Sequence, residues 1–246
     1  MDVHTESVTL AVDDGTSMRA YVARPVSTPP VAGLLVFQEA FGVNAHVRDI
    51  TERFGRQGYL AIAPELYHRT APGFESGYVD TAAAFTHLRS LTDPGLEADI
   101  RAAHTWLQAS GQTKIAAVGY CMGGRAACLA ALTVPLACAV SYYGGGIAPN
   151  QNNRGLLNRL TNLNAPMLFF WGGLDQHIPA EAIQAVTGAL RTAAKPYTNV
   201  EFSFAGHAFF NDQRESYNAA AASQAWPLTL VYLETHTFKG AKQAGW

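Results

Sequence analysis

Six residues, Gly119-Tyr120-Cys121-Met122-Gly123-Gly124, constrain this chain more than any other stretch. The apolar run before them, residues 114–118, has the length and composition of a short buried strand. The run after them, residues 125–132, is rich in Ala and predicts a helix. A strand, a G-x-C-x-G turn and a helix together hold a nucleophilic side chain out on a sharp bend, with Cys here where Ser is more usual. The glycines answer a steric demand, because side chains two positions from the Cys would strike neighbouring backbone. Glycine-rich strand-to-helix turns also bind phosphate, so the meaning of Cys121 depends on what the rest of the chain supplies.

The 246 residues are enough to bury a sizeable core. Net charge is −2 and the isoelectric point is about 6.4, which leaves no electrostatic footprint for nucleic acid or an anionic membrane. The first residues lack the basic and apolar regions of a secretion signal. No apolar run approaches the roughly 18 residues needed to span a bilayer. Three cysteines, one of them in the glycine-rich turn, do not make a disulfide framework. These features predict a cytoplasmic setting that keeps Cys121 as a thiol. No spacing of His, Cys, Asp or Glu suggests a metal site.

Two runs with partial alternation, 3–12 and 18–24, flank Asp13-Asp14-Gly15-Thr16 and predict an N-terminal antiparallel hairpin. Residues 32–38 and 59–63 are apolar and too short for lone helices, so they predict buried strands. Between them Asn44 is placed to cap a helix over 45–57 with Val47, Ile50 and Phe54 on one face. Residues 65–78, with Pro72, Gly73 and Gly77, predict a loop beside the site. Helices are expected over 79–91 and 96–109, split by Asp93-Pro94-Gly95. Further strands are expected over 138–143, 167–171 and 199–204, and helices over 179–192, opened by Pro179, and 215–239, the last kinked or broken at Pro227. The alternation predicts a single α/β domain over 1–246: a doubly wound, mostly parallel sheet with an N-terminal antiparallel hairpin and helices on both faces.

Cys121, Asp175 and His207 each fall in the turn after a predicted strand, where catalytic groups of open α/β sheets gather. Their order, nucleophile then acid then histidine, is that of the α/β-hydrolases. Sulfur attacks as a thiolate, and a free thiol with a pKa near ~8.5 is mostly protonated at neutral pH. A base is therefore needed, and His207 suits it, with Asp175 to fix the imidazole tautomer. The helix starting near Met122 brings a positive dipole end to the sulfur. The Met122 amide is one expected oxyanion donor; the turn Glu39-Ala40-Phe41 should supply the other, and Ala40 is chosen. Glu39 at a strand end could accept a hydrogen bond from the thiol or take its proton; a structural ion pair with Arg125 is the alternative. Tyr143 and Phe41 are the candidates for lining a substrate pocket.

Gln38-Glu39-Ala40-Phe41-Gly42-Val43-Asn44, Gly119-Tyr120-Cys121-Met122-Gly123-Gly124, Tyr142-Tyr143-Gly144, Gly172-Gly173-Leu174-Asp175 and Ala205-Gly206-His207-Ala208-Phe209 together resemble the dienelactone hydrolase family, over roughly residues 8–235. The resemblance implies an α/β-hydrolase fold, a Cys121–His207–Asp175 triad and no cofactor. It also implies that Glu39 pairs with the resting thiol and helps to generate the thiolate when substrate binds. Phe209 and Asn211 fall in the implied substrate pocket. Where reference members carry a carboxylate-gripping arginine four residues after the histidine, this chain has Asn211. A second anchoring arginine has Arg69 as its nearest candidate.

Cys128 and Cys138 sit in apolar runs and suit packing. Asp175 could simply form its turn, with Asp212 as rival acid, and His177 is the rival base. The function expected is hydrolysis of a small ester or lactone through an acyl-enzyme, by a monomer or homodimer that binds neither nucleic acid nor membrane. The alternatives are a promiscuous hydrolase that also takes phosphate triesters, and a non-catalytic or redox-sensing protein, against which the complete triad argues.

Overall fold

The opening hairpin forms over β1 (Val3–Ala11) and β2 (Ser17–Pro25), which pair antiparallel with Leu10 opposite Met18. Asp14 holds the turn, its side chain accepting from the Thr16 amide at 3.0 Å. The structure, a computed structural model, describes residues 1–79, 81–150 and 154–238. β3 (Ala32–Phe37) and β4 (Tyr59–Pro64) are buried along their whole length. They pair parallel, and β2 joins the other side of β4 antiparallel. Continuous apolar runs are what strands covered on both faces require.

Between β3 and β4 lies α1 (Ala45–Arg56), capped by Asn44, whose side chain accepts from the Val47 amide at 3.3 Å. Val47, Ile50 and Phe54 form its buried face, as their spacing predicts. After α2 (Ala82–Ser90), α3 (Asp93–Ala109) begins three residues earlier than expected. Asp93-Pro94-Gly95 is thus the first turn of α3. Thr92 caps it by accepting from Gly95 N at 3.2 Å. The first turn has no internal use for the N–H that proline lacks, so Pro94 starts the helix where a divider was expected.

The chain then runs through β5 (Ile115–Tyr120), α4 (Met122–Thr133), β6 (Ala139–Tyr142), a 3₁₀ turn (Leu157–Asn162), β7 (Met167–Gly172), α5 (Ala180–Thr192), β8 (Tyr197–Phe202) and α6 (Ala219–Thr237). β6, β7 and β8 pair parallel in that order. The eight strands make a mostly parallel sheet with an antiparallel N-terminal pair and helices around it. The residues pack as two compact units, Met1–Ala117 and Val118 onward.

α6 starts four residues later than expected and is not broken at its proline. The helix is continuous through Pro227 and begins at Ala219, capped by Asn218, which accepts from Ala221 N at 3.0 Å. Its buried positions include Ala221, Ala225, Thr229 and Leu233, spaced by four. Pro227 and Ser223 lie on the exposed side, where solvent can serve the carbonyl that the proline leaves without a donor. The expected end of this helix, at residue 239, lies outside the described residues. No described helix is long and apolar enough to cross a membrane.

Candidate active site

At the junction of β5 and α4, Cys121 adopts φ 56°, ψ −120°, a left-handed conformation rare for a residue with a side chain. Both ends of the residue are tied. Its N–H donates to the Tyr142 carbonyl at 3.1 Å, and its carbonyl accepts from Gly124 N at 2.9 Å. A Cβ on Gly119 would overlap the backbone carbonyl of Gly123, so strand and helix approach each other as closely as they do only because that position is glycine. Cys121 keeps exposed surface, whereas Cys128 and Cys138 are buried. Burial pushes the Cys128 thiol up to about 12 and Cys138 higher still. Neither of the buried pair is poised to react, which fits the packing role expected of them.

The turns after β7 and β8 are stitched together by backbone bonds. Gly173 N donates to Phe202 O and Leu174 N to Ala205 O, both at 2.9 Å. This brings Asp175 to His207. The Asp175 Oδ2 to His207 Nδ1 distance is 2.7 Å, while Oδ1 accepts from the His177 amide at 2.8 Å. The carboxylate is thereby held at both oxygens. His207 also hydrogen-bonds the Cys121 side chain. With Nδ1 taken by Asp175, Nε2 is the nitrogen left for sulfur. The rival histidine, His177, meets Asp175 through its backbone and stands edge-on to the His207 ring at 5.1 Å.

Burial alone would lower the His207 pKa. The charge of Cys121 and the hydrogen bond His207 donates to Asp175 outweigh it and raise the value to about 10. On titration followed by histidine ¹⁵N NMR, His207 should therefore stay an imidazolium through neutral pH and lose its proton near pH 10. The Cys121→Ala protein should titrate lower, because the Cys121 charge is the largest upward influence even with Asp175 in place. A native midpoint near the ordinary 6.5 would contradict this electrostatic picture.

Tyr143, at φ 39°, packs its ring against His207 at 5.2 Å, and Phe209 stands behind it, also at 5.2 Å. Asn211 is wholly buried and turns its Oδ1 to the Gln213 amide at 3.0 Å. The residue that stands in the family's arginine position thus closes a local turn.

In the first unit, the turn after β3 carries Glu39, Ala40 and Phe41, all nearly buried. The irregular stretch 65–78 braces this turn residue by residue. Gln38 Oε1 accepts from Leu66 N at 3.1 Å, and its Nε2 donates to Glu39 O at 3.3 Å. Tyr67 donates its hydroxyl to Ala40 O at 3.0 Å, and Ser76 N donates to Phe41 O at 3.1 Å. Phe41 is covered edge-on by Tyr78 at 4.8 Å. Gly42, at φ +78°, has the Phe74 carbonyl where a Cβ would stand. Gln38 and Tyr67 were not expected to take part. A buried amide at the end of an apolar strand was the visible signal for Gln38; for Tyr67, 27 residues from its partner, there was none.

Arg69 is committed elsewhere. Its Nη1 and Nη2 meet both oxygens of the buried Asp99 carboxylate at 2.9 and 2.7 Å, and its Nε meets Asp14 at 2.7 Å. A guanidinium paired on these edges is spent as a carboxylate anchor. Among the described residues no cluster of three or more His, Cys, Asp or Glu side chains is placed to hold a metal.

A side chain raised on a strand–turn–helix, with an acid and a histidine on later strand-end turns of a mostly parallel sheet, defines an α/β-hydrolase-fold protein. The model of the dienelactone hydrolase family matches residues 18–237. A candidate carboxymethylenebutenolidase of Escherichia coli O157:H7 is 37% identical over 229 residues, covering 90% of this chain and 84% of that one. The carboxymethylenebutenolidase of Pseudomonas putida is 34% identical over 240 residues, covering 93% and 96%. The crystal structure of a candidate dienelactone hydrolase from Klebsiella pneumoniae superposes with a TM-score of 0.85 at 32% identity, covering 94% and 98%. The chain belongs to the dienelactone hydrolase family. It is an enzyme, a hydrolase of the carboxylic ester and lactone class.

Proposed function

We propose that a single domain spanning residues 1–246 hydrolyses a small ester or lactone through a Cys121–His207–Asp175 triad and an acyl-enzyme. The observation that carries the proposal is His207 held by Asp175 at 2.7 Å through Nδ1 while it hydrogen-bonds Cys121. The Cys121 thiolate attacks the carbonyl carbon, and a C–S bond forms as the carbonyl π electrons move to oxygen. The Met122 amide, at the start of a helix whose dipole favours negative charge, meets that oxyanion. The tetrahedral adduct collapses with rupture of the C–O bond, and the imidazolium of His207 protonates the departing alkoxide. In a lactone the new hydroxyl stays attached to the acyl chain. His207 then takes a proton from water, the water oxygen attacks the thioester, and rupture of the C–S bond returns the thiolate and a carboxylic acid.

The turn after β3 offers Ala40 as the expected second oxyanion donor, and the family resemblance adds Glu39 as partner of the resting thiol. Tyr143 and Phe209 would back the substrate beside His207, and Phe41 and Asn211 are the further pocket candidates. Asn211 in the arginine position and an Arg69 already neutralised favour a substrate without a carboxylate to be gripped. No cofactor is required. A reducing cytoplasm suits a nucleophile that must remain a thiol. The test is intact-mass spectrometry of the native protein, quenched during turnover of neutral and carboxylate-bearing lactones, aryl esters and a phosphate triester. A single acyl adduct at Cys121 that decays with time is expected, neutral substrates labelling faster. No adduct from any ester or lactone would overturn the reading.

A further inference from the structure

Tyr142, the last residue of β6, touches Cys121 and is followed by a residue that touches His207. Its carbonyl accepts the Cys121 N–H at 3.1 Å. The residue after it, Tyr143, packs on His207 at 5.2 Å and anchors its own N–H on Phe170 O at 2.8 Å. Nucleophile and base are thus both referred to one dipeptide. The Tyr142 hydroxyl is fully buried and reaches across to α6, 2.6 Å from Thr229 Oγ1 and 3.2 Å from Ala225 O. Every proton is used if Thr229 donates to Tyr142 and Tyr142 donates to the Ala225 carbonyl.

Thr229 departs from the habit of threonines in these helices. Thr235 and Thr237 turn their hydroxyls back to the carbonyl four residues earlier, at 2.7 and 2.8 Å. Thr51 and Thr133 do the same, both at 2.7 Å. At Thr229 the carbonyl four residues back, Ala225, receives the Tyr142 hydroxyl instead. Val and Phe would fill the same space without placing two hydroxyls in an apolar interior, where replacing both partners of a buried pair by apolar groups is often nearly neutral for stability. The pair therefore has a reason beyond packing. Cys121 is held at φ 56°, and a strained residue persists only where its surroundings over-determine it.

Building on the Cys121 nucleophile proposed above, we infer that Tyr142 and Thr229 are positioning residues: the hydroxyl pair pins β6 to α6, so that the Tyr142 carbonyl and the Tyr143 ring hold nucleophile and base in register. The Tyr142→Phe/Thr229→Val double variant tests this. Its thermal midpoint should stay near native. Its kcat should fall by about ten-fold or more with KM little changed, a misplacement effect of the kind remote changes produce. The rate of Cys121 alkylation by iodoacetamide should fall with it. Thr229→Ser, which keeps the hydroxyl, should restore native values in the Phe-free background. Native kcat and alkylation rate in the double variant would overturn the inference, while acylation of the native protein at Cys121 would keep the nucleophile reading intact. If the double variant fails to fold, Tyr142→Phe alone decides, because Thr229 can then turn back to Ala225 O and lose no partner; native kcat there would equally overturn it.

Discussion

Replacement of Cys121 by alanine is expected to lower turnover of a small ester or lactone by about 10⁶-fold, the scale on which removal of a nucleophile from such a unit acts. Alanine keeps the Cβ and removes only sulfur, and the backbone bonds that hold residue 121 at positive φ, to Tyr142 O and from Gly124 N, do not involve the side chain. The fold should therefore survive, with circular dichroism and thermal midpoint close to native. Acyl labelling, read by intact mass, should vanish. Cys128 and Cys138 are buried thiols with raised pKa values and offer no substitute nucleophile. A variant that retained a hundredth of native activity, or still carried an acyl group, would place the nucleophile elsewhere.

Asp175→Asn should cost about 10⁴-fold in kcat with little effect on KM. An asparagine keeps an oxygen for the His177 amide, which now donates to Oδ1 at 2.8 Å. Its other group is then an NH₂, facing His207 Nδ1, where a carboxylate oxygen stands at 2.7 Å. Two donors cannot share that bond, so the imidazole must present a bare Nδ1 and carry its proton on Nε2. In that tautomer the ring cannot take a proton from sulfur. The imidazolium also loses the anion that helps to stabilise it, so the His207 pKa should fall in the same protein. Steady-state kinetics and a histidine titration on one sample check both parts. A loss under ten-fold would show that Asp175 only shapes its turn.

Much of the site was legible because its signals are local. A glycine two residues before Cys121 reports a backbone approach that a Cβ would block, and that approach is present at Gly119. Short unbroken apolar runs marked β3, β4, β5 and β7, since strands buried on both faces have no polar face to alternate with. Asn44 announced its helix because a cap reaches only three residues. Proline was the local signal most open to misreading. The same residue divides helices in mid-run and starts them in the first turn, and neighbours such as Thr92 decide which, as at Pro94. At Pro227 the deciding fact was which side of α6 faces solvent, and helix propensity is silent on that.

Residue order and turn chemistry alone thus determined the elbow at Cys121 and the strand-end placing of Asp175 and His207, and the resemblance of five motifs pointed to the family. The contacts that realise partnerships between distant residues came only with the folded chain, even where, as for His207 and Asp175, the pairing was expected. His207 rather than His177 meets Asp175 side chain to side chain because Leu174 and Ala205 join two turns by a backbone bond, which side-chain identity does not encode. Arg69 became a strut once Asp99, 30 residues away, took both its terminal nitrogens. The Tyr142 hydroxyl found Thr229 across 87 residues. Such pairs leave no periodicity in a sequence; they form when packing closes the distance between them, and packing is the part of the physics that acts on the whole chain at once.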